Sequence, residues 1–380
     1  MKRVGIMSMQ RIYNYGSSLQ AYALRRLVEG VAADAEVSFV DFVPGEVLIP
    51  SPESTGRSPL ARTLGKVKEY SAVRADLRDK VRFLNHKRSY GKRYFPLVGI
   101  PGEPSHDLDL DVQVIGSDEV FNCVQSNTNV GYSRDLFGHG SPARRLVSYA
   151  GSFGNTTWQK ISEAGIADDL REDFARFDRI SVRDRNSAEV VEALTGSAPS
   201  VNVDPVLAYD YMQLEPRIPK ARQREGRYLV VYGYAGRLDH RENEILRGWA
   251  RAHDAKILCF GGVQECCDEF VDCSPFELLA YFRDAEAIVT DTFHGTIFAV
   301  LNHRPFATII RRSSGHGYGN EEKLGFLLEL LGLSSQRVRD LADVGAILEH
   351  PVDWAAVDVV LERERVRTRG YLLDAVGAGE

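Results

Sequence analysis

The chain has 380 residues, of which 44% are hydrophobic and 26% are charged, a composition typical of globular proteins with a sizeable core. This length predicts two domains, since one domain usually has ~100–200 residues. The formal net charge of −6 argues against a dedicated nucleic-acid-binding protein, because such proteins carry a surplus of basic residues.

The first ten residues, MKRVGIMSMQ, lead directly into a strand pattern, so we expect no signal peptide. No apolar run approaches the ~20 residues that a membrane span needs. The five cysteines form neither a disulfide framework nor a zinc spacing, which predicts thiols in a reducing compartment and no metal site. We therefore predict a cytoplasmic protein, and a position at the inner face of the membrane remains open.

Short apolar strands alternate with helix-period segments in the first half, which is typical of an α/β protein with a parallel sheet. The predicted strands are Arg3–Ser8, Val37–Phe42, Val112–Ile115, Leu146–Ala150, Ile180–Arg183 and Ser200–Val203. The predicted helices are Ser18–Glu29, Trp158–Phe177 and Ser187–Leu194. We predict that residues 1–213 form an N-terminal Rossmann-like domain.

Residues 44–106 interrupt this pattern with a segment rich in Pro, Ser, Lys and Arg, which contains a helix-like stretch at about residues 60–90. We interpret the segment as a helical insertion on the first domain. Its basic residues alternate with acidic ones, which favours a solvated helix surface. Contact with an anionic acceptor or with a membrane surface is the alternative.

A second α/β set follows the polar stretch 214–226, which we predict to be a linker. Its predicted strands are Arg227–Tyr232, Lys256–Phe260, Ala287–Thr290 and Pro305–Ile310, and its predicted helices are His240–His253, Phe276–Asp284, Glu321–Leu331 and Asp353–Asp374. We predict a C-terminal Rossmann-like domain over residues 227–380, whose last helix packs back on the first domain. Ligands would bind in the cleft at the carboxyl ends of the strands.

The turn Asn14-Tyr15-Gly16 leads from the first strand into the first helix, which Ser17-Ser18 would cap. Backbone N–H groups at such a helix start attract anions. The alternative is that the glycine and the cap serve the geometry of the turn alone.

The stretch VIGSDEVFN places Ser117, Asp118 and Glu119 directly after a buried strand. Hydroxyl and carboxylate groups at this position can bind the hydroxyls of a ligand. An N-cap on the following segment is the equally plausible alternative.

The stretch ISVRDRNS places Arg183 at the carboxyl end of a strand and Arg185 two residues later. A planar guanidinium can bind a carboxylate or a phosphate through two parallel hydrogen bonds. We predict that Arg183 binds an anionic ligand, with Arg185 the weaker candidate. An internal ion pair with Asp184 or Asp178 is the alternative.

The stretch VTDTFHGTIF places His294 at a strand-to-helix turn that faces the predicted cleft. An imidazole readily donates or accepts a proton near neutral pH. Asp291 is positioned to orient the ring, while Thr292 and Gly295 flank it. A structural role for this histidine is the alternative.

After the next strand, a glycine-rich loop carries Arg311, Arg312 and His316 and leads to a helix with Lys323. A cationic loop over a cleft suits a small, highly charged substrate. The alternative is an exposed connection.

Six stretches, in the order in which they occur, resemble the polysaccharide pyruvyl transferase family: NYGSSLQAYAL, VIGSDEVFN, SYAGSFG, ISVRDRNS, VDPVL and VTDTFHGTIFAVLNHRPF. The resemblance implies a two-domain, GT-B-like fold. It also implies transfer of pyruvate from phosphoenolpyruvate to two hydroxyls of a sugar, giving a cyclic ketal and phosphate in exopolysaccharide or cell-surface glycan biosynthesis. By position, Arg183 and His294 match the family's donor-binding and catalytic arginine and histidine. We hypothesise that His294 is the general acid and that Arg311 or Lys323 helps Arg183 to bind the anionic donor. No metal or redox cofactor is implied.

The chain departs from the family pattern at four positions, with Thr292 in place of the usual Ser, Glu119 in place of Gln, Asp184 in place of Glu and Lys323 in place of a common Arg. Glu119 replaces a neutral amide with a charge, which leaves the acceptor specificity open. A lipid-linked acceptor and the oligomeric state also remain open.

Two other functions fit the same fold. One is a sugar-nucleotide glycosyltransferase with a GT-B fold. The other is a non-catalytic module that binds a carbohydrate or phosphate, although the presence of both Arg183 and His294 argues against it.

Overall fold

A computed structural model describes residues 1–49, 73–106, 109–311 and 320–377. These residues form two separate six-stranded sheets, and every strand pairing within them is parallel. The predicted α/β class, with two parallel sheets flanked by helices, is confirmed.

The first sheet has the order β2-β1-β3-β4-β5-β6. Its strands are β1 (Arg3–Met7), β2 (Glu36–Val40), β3 (Val112–Asp118), β4 (Arg145–Gly151), β5 (Ser181–Val182) and β6 (Ser200–Val201). The central strands are buried on both faces, as their continuous apolar sequences require in a sheet covered by helices.

The second sheet has the order β12-β11-β10-β7-β8-β9. Its strands are β7 (Arg227–Tyr232), β8 (Ala255–Phe260), β9 (Glu269–Phe270), β10 (Ala287–Thr290), β11 (Phe306–Ile309) and β12 (Arg337–Val338). All ten predicted strands are present in the two sheets. The two edge strands β9 and β12 were not predicted, because two residues are too short to show a period.

The described helices flank the two sheets. They are α1 (Tyr15–Val31), α2 (Leu77–Tyr94), α3 (Trp158–Glu163), α4 (Ala167–Phe174), α5 (Arg185–Thr195), α6 (Pro205–Ala208), α7 (Tyr211–Leu214), α8 (His240–Ala252), α9 (Pro275–Asp284), α10 (Phe293–Leu301), α11 (Glu321–Leu330), α12 (Val344–Glu349) and α13 (Trp354–Leu372).

Two predicted helices differ from the structure for local reasons. The first begins at Tyr15, because Asn14 rather than Ser17-Ser18 caps it by accepting a hydrogen bond from the backbone N–H of Ser17 at 2.7 Å. The segment predicted as one helix over Trp158–Phe177 is two helices. It breaks at Gly165, whose φ of +70° lies in the left-handed region that glycine adopts at little cost.

The insertion contributes α2, which packs against β9 of the second sheet. Residues 50–72, which contain the first part of the predicted helix-like stretch, lie outside the described residues. The Phe83 ring contacts Phe270 of β9 with a centroid distance of 5.4 Å. His86 Nδ1 lies 2.7 Å from Asp272 Oδ1. The predicted solvated surface is therefore only one face of a helix that also has a buried face.

The terminal helix α13 returns to the first half of the chain. Tyr371 donates a hydrogen bond to the carbonyl of Ser148 at 2.6 Å, and the hydroxyls of Thr368 and Tyr149 lie 3.0 Å apart. The bounds of the two domains and of the linker stay predictions.

Candidate functional site

A cavity of about 260 Å³ lies between the two halves of the chain. Its walls come from turns that follow strands of both sheets, the position at which open parallel sheets bind ligands. Its charged and hydrogen-bonding lining residues include Asn14, Ser17, Asp118, Glu119, Arg183, Arg237, Thr292, His294 and Lys323. Arg183 and His294 therefore face one common space.

Arg183 follows β5, and its side chain is only 2% exposed. Its Nη1 donates to Asp204 Oδ2 at 2.6 Å, and its Nη2 donates to Asp118 Oδ1 at 3.1 Å. The guanidinium also lies over the Phe293 ring, 4.5 Å from the centroid. Burial lowers the pKa of Arg183, but the carboxylates of Asp118 and Asp204 outweigh burial and raise it.

Arg183 forms internal ion pairs, but with Asp118 and Asp204 rather than with Asp184 or Asp178 as the sequence suggested. Asp184 caps α5 by accepting from the backbone N–H of Ser187, and Asp178 accepts from the N–H of Leu146. Asp118 has a φ of +71°, and its other oxygen accepts from the Ser17 hydroxyl at 2.7 Å. The guanidinium is thus fixed by residues that are distant along the chain.

His294 lies in the first turn of α10, which Thr292 caps by accepting from the N–H of Gly295 at 3.0 Å. The imidazole Nε2 is 3.5 Å from Asp204 Oδ2, the same oxygen that binds Arg183. Burial raises the pKa of Asp204, but the opposing effect of His294 and Arg183 is larger and brings the pKa down to about 2. Asp204 therefore stays ionised near neutral pH, and a negative charge lies beside the ring.

Gly16 lies on the other side of the imidazole. A Cβ at this position would be 2.3 Å from His294 Nδ1, closer than real contacts allow. Gly16 was predicted to bind substrate, and here it leaves the space that the ring occupies. The first turns of α1 and α10 are consequently in contact.

Asp291 does not orient His294, contrary to the prediction. Its Oδ2 accepts from Arg237 Nη1 at 3.2 Å. Burial raises the pKa of Asp291, and the charges of Arg237 and Arg311 only partly oppose this. The carboxylate that faces the imidazole is that of Asp204, and Asp291 instead holds Arg237 at the cavity wall.

Glu119 and Lys323, two of the four positions that depart from the family pattern, bind each other. Lys323 Nζ donates to Glu119 Oε1 at 2.6 Å, which joins the turn after β3 to α11 across the cavity. Burial raises the pKa of Glu119, but Lys323, Arg183 and Asn122 together lower it to about 2. The negative charge at Glu119 is therefore compensated.

Five predicted ligand-binding residues of the described part of the chain lie outside the cavity wall, namely Gly16 and the four that follow. The Ser117 hydroxyl is buried and donates to the carbonyl of Ala150, because β3 and β4 run side by side there. Arg185 is 63% exposed and lies 3.4 Å from Glu329. Gly295 makes room for the Thr290 side chain rather than for a ligand. Arg311 binds Glu242 at 2.9 Å.

The other predicted residues are placed as follows. Asn14 caps α1, and the Tyr15 hydroxyl donates to the carbonyl of Cys273 at 2.9 Å, which ties α1 to the second half. Both also line the cavity, as do Thr292 and Lys323. His316 and Arg312 lie outside the described residues.

Asp204 and Arg237 were not predicted. Asp204 had a signal, since it stands in VDPVL directly before a proline, and it does cap α6 by accepting from the N–H of Val206. Arg237 had no signal other than its place after β7. Its guanidinium lies over the Tyr234 ring, 4.4 Å from the centroid.

The cavity wall carries several cationic groups. Within the described part of the chain, four basic side chains line it, Lys87, Arg183, Arg237 and Lys323. Carboxylates pair with three of them, Asp118 and Asp204 with Arg183, Asp291 with Arg237 and Glu119 with Lys323. The described residues contain no group of three side chains able to hold a metal ion. None of the described helices combines the length and the apolar character needed to cross a bilayer.

A model of the polysaccharide pyruvyl transferase family matches residues 14–313, a span that includes the lining residues Arg183, Arg237 and His294 but not Lys323. No curated protein sequence is significantly similar to the chain.

Solved structures show a distant likeness over the whole chain. The S. aureus MnaA–UDP co-structure is 10% identical, with 100% of this chain and 99% of that chain covered and a TM-score of 0.47. The Methanocaldococcus jannaschii UDP-GlcNAc 2-epimerase in complex with UDP-GlcNAc and UDP is 11% identical, with both chains covered to 100% and a TM-score of 0.44. A Thermobaculum terrenum O-GlcNAc transferase mutant is 14% identical, with 99% of this chain and 66% of that chain covered and a TM-score of 0.43.

Proposed function

We propose a donor and a reaction for this chain, which belongs to the polysaccharide pyruvyl transferase family. The donor is phosphoenolpyruvate, and the reaction transfers its three-carbon unit to two hydroxyls of a sugar acceptor as a cyclic ketal. The observation that carries this proposal is that Arg183 and His294 both line the cavity and both approach one oxygen of the buried Asp204.

The basic groups of the cavity match the charge of this donor. Phosphoenolpyruvate carries a carboxylate and a phosphate, and Arg237, Lys323 and Arg183 can bind these groups. Arg183 has five N–H donors, of which Asp118 and Asp204 accept two. The remaining donors are compatible with an anion in the cavity.

His294 is the proposed general acid. The protonated imidazole gives its proton to the methylene carbon of phosphoenolpyruvate, and the adjacent carbon becomes an oxocarbenium-like centre. One acceptor hydroxyl attacks this carbon and returns its proton to the imidazole. The carbon–oxygen bond to phosphate then breaks, the second hydroxyl attacks the same carbon, and its proton leaves with the phosphate.

Asp204 supports both roles in this scheme. Its carboxylate stabilises the imidazolium through a charge interaction, and it holds the Arg183 guanidinium in a fixed orientation. A positioned general acid typically contributes ~10²–10⁴ in rate. The scheme uses only groups of the chain and its two substrates.

The test is phosphate release from phosphoenolpyruvate with a panel of α- and β-linked hexosides, with carbon NMR of the product to identify the ketal carbon. We expect His294→Ala to lower turnover ~10²–10⁴-fold while phosphoenolpyruvate still binds. His240→Ala, which changes a histidine that is 65% exposed, is the matched control. Thermal stabilisation by a nucleotide sugar with none by phosphoenolpyruvate would contradict the proposal and favour a glycosyltransferase.

A further inference from the structure

Part of the cavity lining consists of uncharged side chains from the first half of the chain, which we call the uncharged wall. This wall comes from the turn after β1, which contributes Ile12 and Tyr13, and from the segment after β3, which contributes Gln125 and Asn127. Arg237 and His294, by contrast, come from the second half of the chain.

Tyr13 is the most distinctive residue of the uncharged wall. Among the Tyr, Phe and Trp side chains that the structure describes, Tyr13 (47%) and Tyr234 (46%) are exposed, and both line this cavity. The Tyr234 ring is stacked by the guanidinium of Arg237. Tyr13 is thus the exposed ring that the first half of the chain contributes to the cavity.

The exposed ring of Tyr13 is held in place by the insertion. It packs against Phe95 and Tyr90, with centroid distances of 5.5 and 6.0 Å, and its backbone carbonyl accepts from Lys87 Nζ at 3.0 Å. A Cβ at Gly91 would lie 3.3 Å from the ring, so the ring sits directly on α2. A rigid aromatic surface loses little conformational entropy when a ligand binds to it.

We infer that this wall is the acceptor subsite, where a sugar ring stacks on Tyr13 and its hydroxyls bond to the amides of Gln125 and Asn127. A pyranose has an apolar C–H face and a polar hydroxyl edge, and this combination matches an aromatic surface beside neutral amides. That the bound sugar is the acceptor of the reaction rests on the proposed function. It gives the insertion a role, since α2 positions the ring.

The experiment measures binding apart from turnover. Saturation-transfer NMR uses the methyl α- and β-glycosides of D-glucose and D-galactose as probes, with the wild type and the variants Tyr13→Phe, Tyr13→Leu and Tyr13→Ala. We expect at least one glycoside to bind the wild type. Tyr13→Phe, which keeps the ring, should bind it within about twofold, whereas Tyr13→Leu and Tyr13→Ala should bind it at least about tenfold more weakly. Phosphoenolpyruvate affinity should change by less than about twofold in all three variants, because each variant leaves the proposed donor-binding groups Arg183, Arg237 and Lys323 in place.

Tyr13→Leu keeps an apolar contact with Phe95, so it serves as the folded variant if the alanine variant unfolds. Unchanged glycoside binding in Tyr13→Leu, or no binding of any of the four probes to the wild type, would overturn the inference. Glycoside binding that depends on Tyr13, together with no effect of phosphoenolpyruvate on the protein, would instead refute the proposed donor and leave the carbohydrate subsite standing.

Discussion

Gly16 and His294 are in direct contact across the two halves of the chain, and the glycine has no room for a side chain. A Cβ at Gly16 would lie 2.3 Å from Nδ1, 2.5 Å from Cγ and 2.8 Å from Cβ of His294. The first turn of α1 therefore forms one side of the space that holds the proposed acid, and Asp204 forms another.

This contact predicts that Gly16→Ala impairs catalysis by displacing the imidazole. Alanine favours a helix over glycine by ~1 kcal/mol, so the helix itself should tolerate the change. Overpacking against His294 should cost about 1–3 kcal/mol, and the displaced ring should lower phosphate release at least about 100-fold. Gly30→Ala is the control on the same helix, because a Cβ there meets nothing within 4 Å. Wild-type turnover in Gly16→Ala would show that the position of the ring is not critical.

Arg183→Lys should weaken donor binding and destabilise the fold. A lysine presents one ammonium group, which cannot reproduce the two hydrogen bonds to Asp118 and Asp204 in the same geometry. We expect at least about a tenfold weaker phosphoenolpyruvate affinity by calorimetry and a loss of about 3 kcal/mol in urea unfolding. Arg185→Lys, two residues along and 63% exposed, should change neither quantity. Equal donor affinities for Arg183→Lys and the wild type would rule out the guanidinium as a clamp.

Variants of the Arg237–Asp291 pair should change the free energy of unfolding and the affinity for phosphoenolpyruvate independently. Arg237→Ala removes the cation beside a carboxylate whose side chain is 3% exposed, so the free energy of unfolding should fall by about 3 kcal/mol. Adding Asp291→Asn removes the buried charge and should recover most of this loss. The affinity for phosphoenolpyruvate should stay reduced in the double variant, because the Arg237 guanidinium is still missing from the cavity. Recovery of both quantities would mean that Arg237 has a structural role only.

Glu119→Gln should lower the free energy of unfolding by an amount that depends on pH. The folded pKa of Glu119, about 2, is below its ordinary value, so its ion pair stabilises the fold above pH ~4.5 and loses this effect as the pH falls through about 2. The wild type should exceed the variant by about 2 kcal/mol in unfolding free energy at pH 7, and the difference should shrink between pH ~4.5 and ~2. Asp204 titrates in a similar range but is present in both proteins, so its contribution cancels. A difference that stays constant with pH would show that the Glu119–Lys323 pair does not stabilise the fold.

The sequence was sufficient for the two parallel sheets and for the segments that carry the site. Strands such as Ala287–Thr290 are continuous apolar runs, and their period and length are local properties that a single chain displays. The positions of Arg183 and His294 at the ends of strands also follow from local order, because the carboxyl ends of parallel strands meet at one edge.

The tertiary structure decided which groups meet. Asp291 is three residues from His294, yet Arg237 binds it, and the imidazole faces Asp204 from the other half of the chain. Glu119 and Lys323 are two separate departures from the family pattern in the sequence, and in the structure they form one ion pair. Contacts of this kind depend on how the two sheets pack through α1, α2 and α10, and no pattern of neighbouring residues encodes that packing. The sequence by itself thus determined the elements and the kinds of groups at their ends, and only the packing of the halves paired those groups.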